Sequence, residues 1–136
     1  MACLDTSILI DLKGKSGAQK KKAALAKLAG LSRRGENLVT TRFNIAELYV
    51  GISLAQKPRL EAKSINVFLS RFDILDFDDH AAFFYGQIKA WQQKQGKPSG
   101  DMDVLIAATA MANGHTLITQ NTKHFENIPN LKVEDY

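Results

Sequence analysis

Short strand-like runs alternate with longer segments of helical period along this 136-residue chain, and that alternation limits the fold more than any other feature. Ala2–Leu4 is an apolar run ending at Asp5, and Asp5-Thr6-Ser7 offers capping oxygens to a helix through Ile8–Leu12. The spacing predicts a second helix over Ala18–Ser32, stopped near Gly35, then a strand over Asn37–Thr41 and a helix over Arg42–Leu54. Pro58 suits the first turn of a helix reaching Phe72, and Asp73–Phe77 reads as a third strand. Asp78 and Asp79 precede a helix through Gln95. The Gly96–Gly100 stretch breaks it, and Asp101 opens a strongly apolar helix closed by Asn113-Gly114. Thr116–Thr119 supplies a fourth strand and Leu131–Val133 a fifth. The class implied is α/β, a three-layer α/β/α sandwich around a mainly parallel sheet of four to five strands, in one domain spanning residues 1–136. Ligands of such open sheets bind beyond the carboxyl ends of the strands, where Asp5 and the residues after Thr119 fall.

At 136 residues the chain is one domain's worth of sequence, its 45% hydrophobic residues are enough to build one core, and a second folded domain is not expected. Cys3 is the single cysteine, so no intrachain disulfide forms and nothing demands an oxidising compartment. No apolar run approaches the roughly 20 residues of a membrane span, nor does the N-terminus read as a secretory signal. A cytoplasmic protein without a membrane partner is expected. The net charge of +4 conceals an asymmetry, because residues 12–35 hold eight bases and no acid while the remainder sums to −4. Two readings stay open for that segment: the solvated face of an amphipathic helix, or a flank that attracts phosphates.

Four carboxylates sit in apolar surroundings, where an ionised group is costly unless a cation shares the site. Asp5 follows the first strand, where capping the next helix is the simpler role. Glu47 shares a helical stripe with Phe43, Val50 and Leu54, opposite Ile45, Leu48, Tyr49 and Ile52, and so interrupts an apolar face. Asp103 tops a stripe formed by Ile106, Ala107 and Ala110, and as a first-turn acid it also complements the helix dipole. Asp101 lies about 200° around the helix from Asp103, so the two converge only if Asp101 is a cap outside the helix. Clustered carboxylates repel unless a cation compensates. Oxygen donors with open water positions suit Mg²⁺ or Mn²⁺, and acids, metal and a basic flank together point to phosphodiester hydrolysis.

These residues resemble the PIN-domain family, specifically its VapC-like toxin ribonucleases. The resemblance rests on Leu4-Asp5-Thr6-Ser7-Ile8-Leu9-Ile10, on Glu47 in the helix after the second strand, and on Asp101-Met102-Asp103-Val104-Leu105-Ile106-Ala107-Ala108-Thr109-Ala110. Gly114, Thr116–Thr119 and Asn121-Thr122-Lys123-His124-Phe125 continue it, so it covers nearly the whole chain in order and spacing. It implies that Asp5, Glu47 and Asp103 bind the metal, with Asp101 an additional carboxylate beside the third. Asn121 stands where the resemblance implies Asp in many relatives and Asn in others, so no fourth anionic ligand is expected and Asn121 acts through water, unless Asn121 and His124-Phe125 form only a loop turn with a packed aromatic. Thr6 and Thr119 match hydroxyls that line the site. The activity implied is endonucleolytic cleavage of RNA by activated water with Mg²⁺ or Mn²⁺, in a homodimer neutralised by a cognate antitoxin protein.

Other chemistries fit less well. A haloacid-dehalogenase-like phosphatase needs a second Asp two residues after Asp5, and position 7 is Ser. Gly14-Lys15-Ser16 mimics the end of a phosphate-binding loop, but Leu9 stands where the earlier glycine is required. His80, His115 and His124 lack zinc-ligand spacing. A non-catalytic module that binds RNA, or that receives a partner's arginine in an acidic pocket, remains the alternative; it predicts intact RNA with or without metal.

Overall fold

The computed structural model describes residues 1–136. Five strands, β1 (Ala2–Leu4), β2 (Leu38–Thr41), β3 (Asp73–Leu75), β4 (Thr116–Ile118) and β5 (Val133–Glu134), form one sheet in the order β3-β2-β1-β4-β5. Every pairing is parallel, with Ala2 beside both Leu38 and Thr116. Six α-helices link them: α1 (Thr6–Leu12), α2 (Ala18–Arg33), α3 (Arg42–Ser53), α4 (Pro58–Leu69), α5 (Asp79–Gln95) and α6 (Asp101–Ala112), with a 3-10 turn at Thr122–Phe125.

The expected architecture is therefore present, with small shifts at element ends. Strand β3 stops at Leu75 rather than Phe77, α4 ends at Leu69 rather than Phe72, and β5 begins at Val133. Helix α1 starts at Thr6, because Asp5 holds the N-cap position with extended backbone but makes no capping hydrogen bond with its side chain. Gly96 ends α5 in the left-handed conformation that favours glycine.

Alternation along β1 builds the two sides of the core. Ala2 and Leu4 face α1, α2 and α4 together with Ile8, Leu9 and Leu31, while Cys3 faces α5 and α6 with Val104, Ala107 and Leu117. Parallel strands covered on both faces have no solvent side, which is why these runs are short and apolar. No helix is long and apolar enough to cross a membrane. Helix α3 departs from the expectation drawn above. Its Ile45, Leu48 and Ile52 are buried, but Val50 and Leu54 point to solvent, Leu54 being 82% exposed. Glu47 thus stands at the edge of the buried face instead of interrupting an apolar one.

The sheet order reverses at β1. The chain moves outward through β2 and β3, then returns to place β4 on the other side of β1. Such a reversal opens a crevice at the strands' carboxyl ends, and Asp5 and Thr119 are the residues that leave β1 and β4 there. Leu117→Ala in the fully buried centre of β4 is expected to cost about 2–5 kcal/mol in urea unfolding. Leu54→Ala should stay within about 0.5 kcal/mol, a contrast that checks the orientation of α3.

Candidate active site

Asp5 lies at the floor of the crevice and is only 5% exposed. Both of its carboxylate oxygens are held by neutral donors from other elements. Asn44 Nδ2 donates to Oδ1 at 2.9 Å, and Thr119 Oγ1 donates to Oδ2 at 2.7 Å. Thr41 explains why Asn44 is so well placed. The two form a reciprocal cap at the start of α3, with the Asn44 N–H donating to Thr41 Oγ1 at 3.2 Å and the Thr41 N–H donating to Asn44 Oδ1 at 3.3 Å. The side-chain amide is then free to reach Asp5 and, at 3.0 Å, Thr6 Oγ1.

Glu47 follows one turn after Asn44 on the same helix face. It accepts the Thr6 hydroxyl proton through Oε1. Across the crevice, Asp103 projects from the first turn of α6 with the ring of His124 at 3.8 Å. Asp5, Thr6, Glu47, Asp103 and Asn121 line one cavity of about 340 Å³ whose other walls include Ser7, Asp11, Lys20, Gln120 and His124. Thr119 supports the floor from behind: its hydroxyl also accepts the Asn121 N–H at 3.0 Å and lies 3.2 Å from Ser7 Oγ.

Asp101 is not brought to the other acids. Gly100 is the N-cap of α6, so Asp101 is already helical, and the turn between positions 101 and 103 carries the two side chains apart. The Asp101 side chain is 75% exposed and pairs with Lys89 at 2.8 Å. The basic segment is divided as well. Lys15, Lys27 and Arg34 pair with Glu61, Glu134 and Glu36, whereas Lys20 faces the cavity with no acidic partner. Asn44, Asp11, Lys20 and Gln120 were not singled out from the sequence. Only Asn44 carried a usable signal there, as the third residue after Thr41 and the third before Glu47.

The electrostatics of this cavity are unbalanced. Burial, with smaller contributions from Asp5 and Asp103, pushes the Glu47 carboxyl above its ordinary pKa despite the Thr6 hydroxyl. Burial and the charge of Asp5 likewise raise Asp103, against the pull of His124. Neither Asp5 nor Glu47 has a basic side chain in ion-pair contact. Asp5, Glu47 and Asp103 share one cavity without closing into a ready-made three-ligand cage. Mg²⁺ does not require one, since it keeps several waters and is held by one or two carboxylates. The donor set therefore fits a hard divalent cation.

A raised carboxylate pKa means that the folded state holds the proton more tightly than the unfolded chain. The associated stability is present below the ordinary carboxylate pKa and is lost as pH rises through the folded value. Glu47→Gln and Asp103→Asn should accordingly raise the melting temperature of the metal-free protein at pH 7. That gain should vanish as the pH approaches about 4, the ordinary carboxylate range. Melting curves of both variants against wild type, with chelator, across this range check the sign.

The PIN domain family model matches residues 2–131. The tRNA(fMet)-specific endonuclease VapC of Shigella flexneri is 34% identical over 134 residues, covering 98% of this chain and 96% of its own. Ribonuclease VapC2 of Rickettsia felis is 34% identical over 106 residues, 78% of this chain and 79% of its own. Among solved structures, VapBC2 from Rickettsia felis bound to a promoter DNA fragment superimposes with a TM-score of 0.87 at 30% identity, covering 99% of this chain and 98% of that one. VapBC-1 from nontypeable Haemophilus influenzae gives 0.85 at 28% identity, covering 98% and 96%. With the family match spanning almost every residue and relatives above 30% identity along most of its length, this chain belongs to the PIN-domain family, in its VapC-like branch.

Proposed function

We propose that this chain is a metal-dependent endoribonuclease, the toxin of a toxin-antitoxin pair, built as one PIN-like domain over residues 1–136 and acting in the cytoplasm. The observation that carries the reading is the convergence of Asp5, Glu47 and Asp103, from three separate elements, on one polar cavity at the switch point of the sheet. Two of these acids have raised pKa values, and Asp5 and Glu47 have no cationic side chain against them. Asp5, Glu47 and Asp103 would hold Mg²⁺ or Mn²⁺. When bound, the ion supplies Lewis acidity, lowering the pKa of water and neutralising charge on a phosphodiester. Asn44 and Thr119 keep the Asp5 carboxylate fixed at the cavity floor, Thr6 orients Glu47, and Asn121 reaches the substrate side through water. Asp101, turned outward against Lys89, is left out of this assignment.

Substrate and partners follow from charge and from the relatives. A cavity floored by acids repels an RNA backbone, and Lys20 is the one lysine on its wall, so it contacts a phosphate flanking the cut. The names of the relatives, ribonuclease and tRNA-specific endonuclease, support RNA as the substrate. Structures of VapBC assemblies support an antitoxin partner, and we extend that to a homodimeric toxin.

Purified protein should cut a structured RNA pool at discrete positions with Mg²⁺ or Mn²⁺ and leave it intact with chelator. Asp103→Asn should lower the rate by more than about 100-fold in the same assay, which excludes a contaminating nuclease. RNA left intact by antitoxin-free wild type with either metal would favour the non-catalytic binding module. Lys20→Ala should weaken RNA binding and reduce the slope of log affinity against log salt by about 0.7–1, the signature of one lost phosphate contact.

A further inference from the structure

Residues 132–136 lie beyond the stretch that the family model matches, yet they run back to the cavity. Strand β5 pairs with β4, and Glu134 is fastened to the α2 side by Arg34 at 3.2 Å and Lys27 at 3.6 Å. This path sets the Tyr136 ring partly buried against the core cluster that holds Ile8 and Leu9 of α1. Its hydroxyl donates to Asp11 Oδ2 at 2.7 Å, and its main-chain carbonyl accepts from Gln120 Nε2 at 3.1 Å. Asp11 and Gln120 are both cavity walls, one on α1 and the other on the loop after β4. Asp11 is 4% exposed and receives no other side-chain hydrogen bond, so a costly buried carboxylate depends on this one phenol.

From Gln120 a line of hydrogen bonds reaches Asp5, while Asp11 is linked to it only through the α1 backbone. The Gln120 N–H donates to Ser7 Oγ at 3.2 Å, Ser7 Oγ lies 3.2 Å from Thr119 Oγ1, and Thr119 donates to Asp5. Asp11 stands four residues after Ser7 and so holds the same face of α1. We propose that Tyr136 is a positioning residue for RNA cleavage, clasping α1 to the Gln120-Asn121 loop so that Ser7 and Thr119 hold Asp5 in its working orientation. The inference rests on the ribonuclease reading. Burial and the bond to Asp11 push the phenol pKa well above its ordinary value.

The test uses the full chain carrying Tyr136→Phe, which keeps the ring, together with Asp11→Ala and the double variant. Tyr136→Phe should lower kcat for RNA cleavage about tenfold, the cost of one hydrogen bond to a charged group, and leave KM unchanged. The double variant should be no slower than Tyr136→Phe, since the two groups act as one unit. Wild-type kcat in Tyr136→Phe, a rise in KM alone, or additive losses would overturn the clasp. A wild type that cuts no RNA overturns the ribonuclease reading instead. Amide hydrogen exchange then decides the clasp: exchange at Gln120 about tenfold faster in Tyr136→Phe supports it, and unchanged exchange overturns it.

Discussion

The burial of Asp5 is the constraint on which the rest of the structure turns. A carboxylate taken from water at the end of a central strand is tolerated only if its oxygens are hydrogen-bonded, and each bond to a charged group contributes about 1.5–3 kcal/mol. The donors follow the two strands that flank β1. Thr119 comes directly after β4, and Asn44, in the first turn of α3, is set by the cap that joins β2 to α3. Because β1 is where the sheet order reverses, both donors reach Asp5 from opposite sides. The pairing of β1 with β2 and β4 therefore builds the floor of the candidate active site at the same time as the core.

Glu47 and Asp103 are placed by different means. Glu47 is carried one turn beyond Asn44, so the cap that fixes the Asp5 donor also fixes the phase of the second acid. Asp103 depends on α6, whose buried Ile106, Ala107 and Ala110 hold the helix against the sheet and leave its first turn over the crevice. Each helix is anchored by apolar contacts on its far side. Three acids can thus be gathered without any direct attraction between them, and the cost appears as the raised pKa values of Glu47 and Asp103, set first by burial and to a smaller extent by the neighbouring carboxylates.

The sequence made the architecture legible because every strand is short, apolar and bounded by capping or breaking residues, so the period changes from two to 3.6 at nearly the observed places. Asp5, Glu47 and Asp103 were legible because each carries a charge beside a hydrophobic run. Asp101 was ambiguous for a physical reason: one residue of helix boundary decides whether its side chain converges with Asp103 or turns away, and Gly100 took the cap. The phase of α3 misled at Val50 and Leu54, since a helix carrying apolar residues on two faces does not reveal which face packs. Asn44, Asp11 and Gln120 act through partners 39, 125 and 113 positions away, and no local pattern encodes such contacts.

The basic segment shows how one charge pattern serves two purposes. Lys15, Lys27 and Arg34 pair with acids from α4, β5 and the turn before β2, so the excess of bases in residues 12–35 is partly met by acids elsewhere in the fold. These pairs are at the surface and contribute little stability individually, about 0–1 kcal/mol each. Buried Ala24 and Leu31 hold α2 against the core. With its later turns tied to Glu134 and its approach tied to Glu61, the first turn of α2 carries Lys20 to the wall of the acidic cavity, the position from which a single cation can offset the repulsion between that cavity and a phosphate backbone.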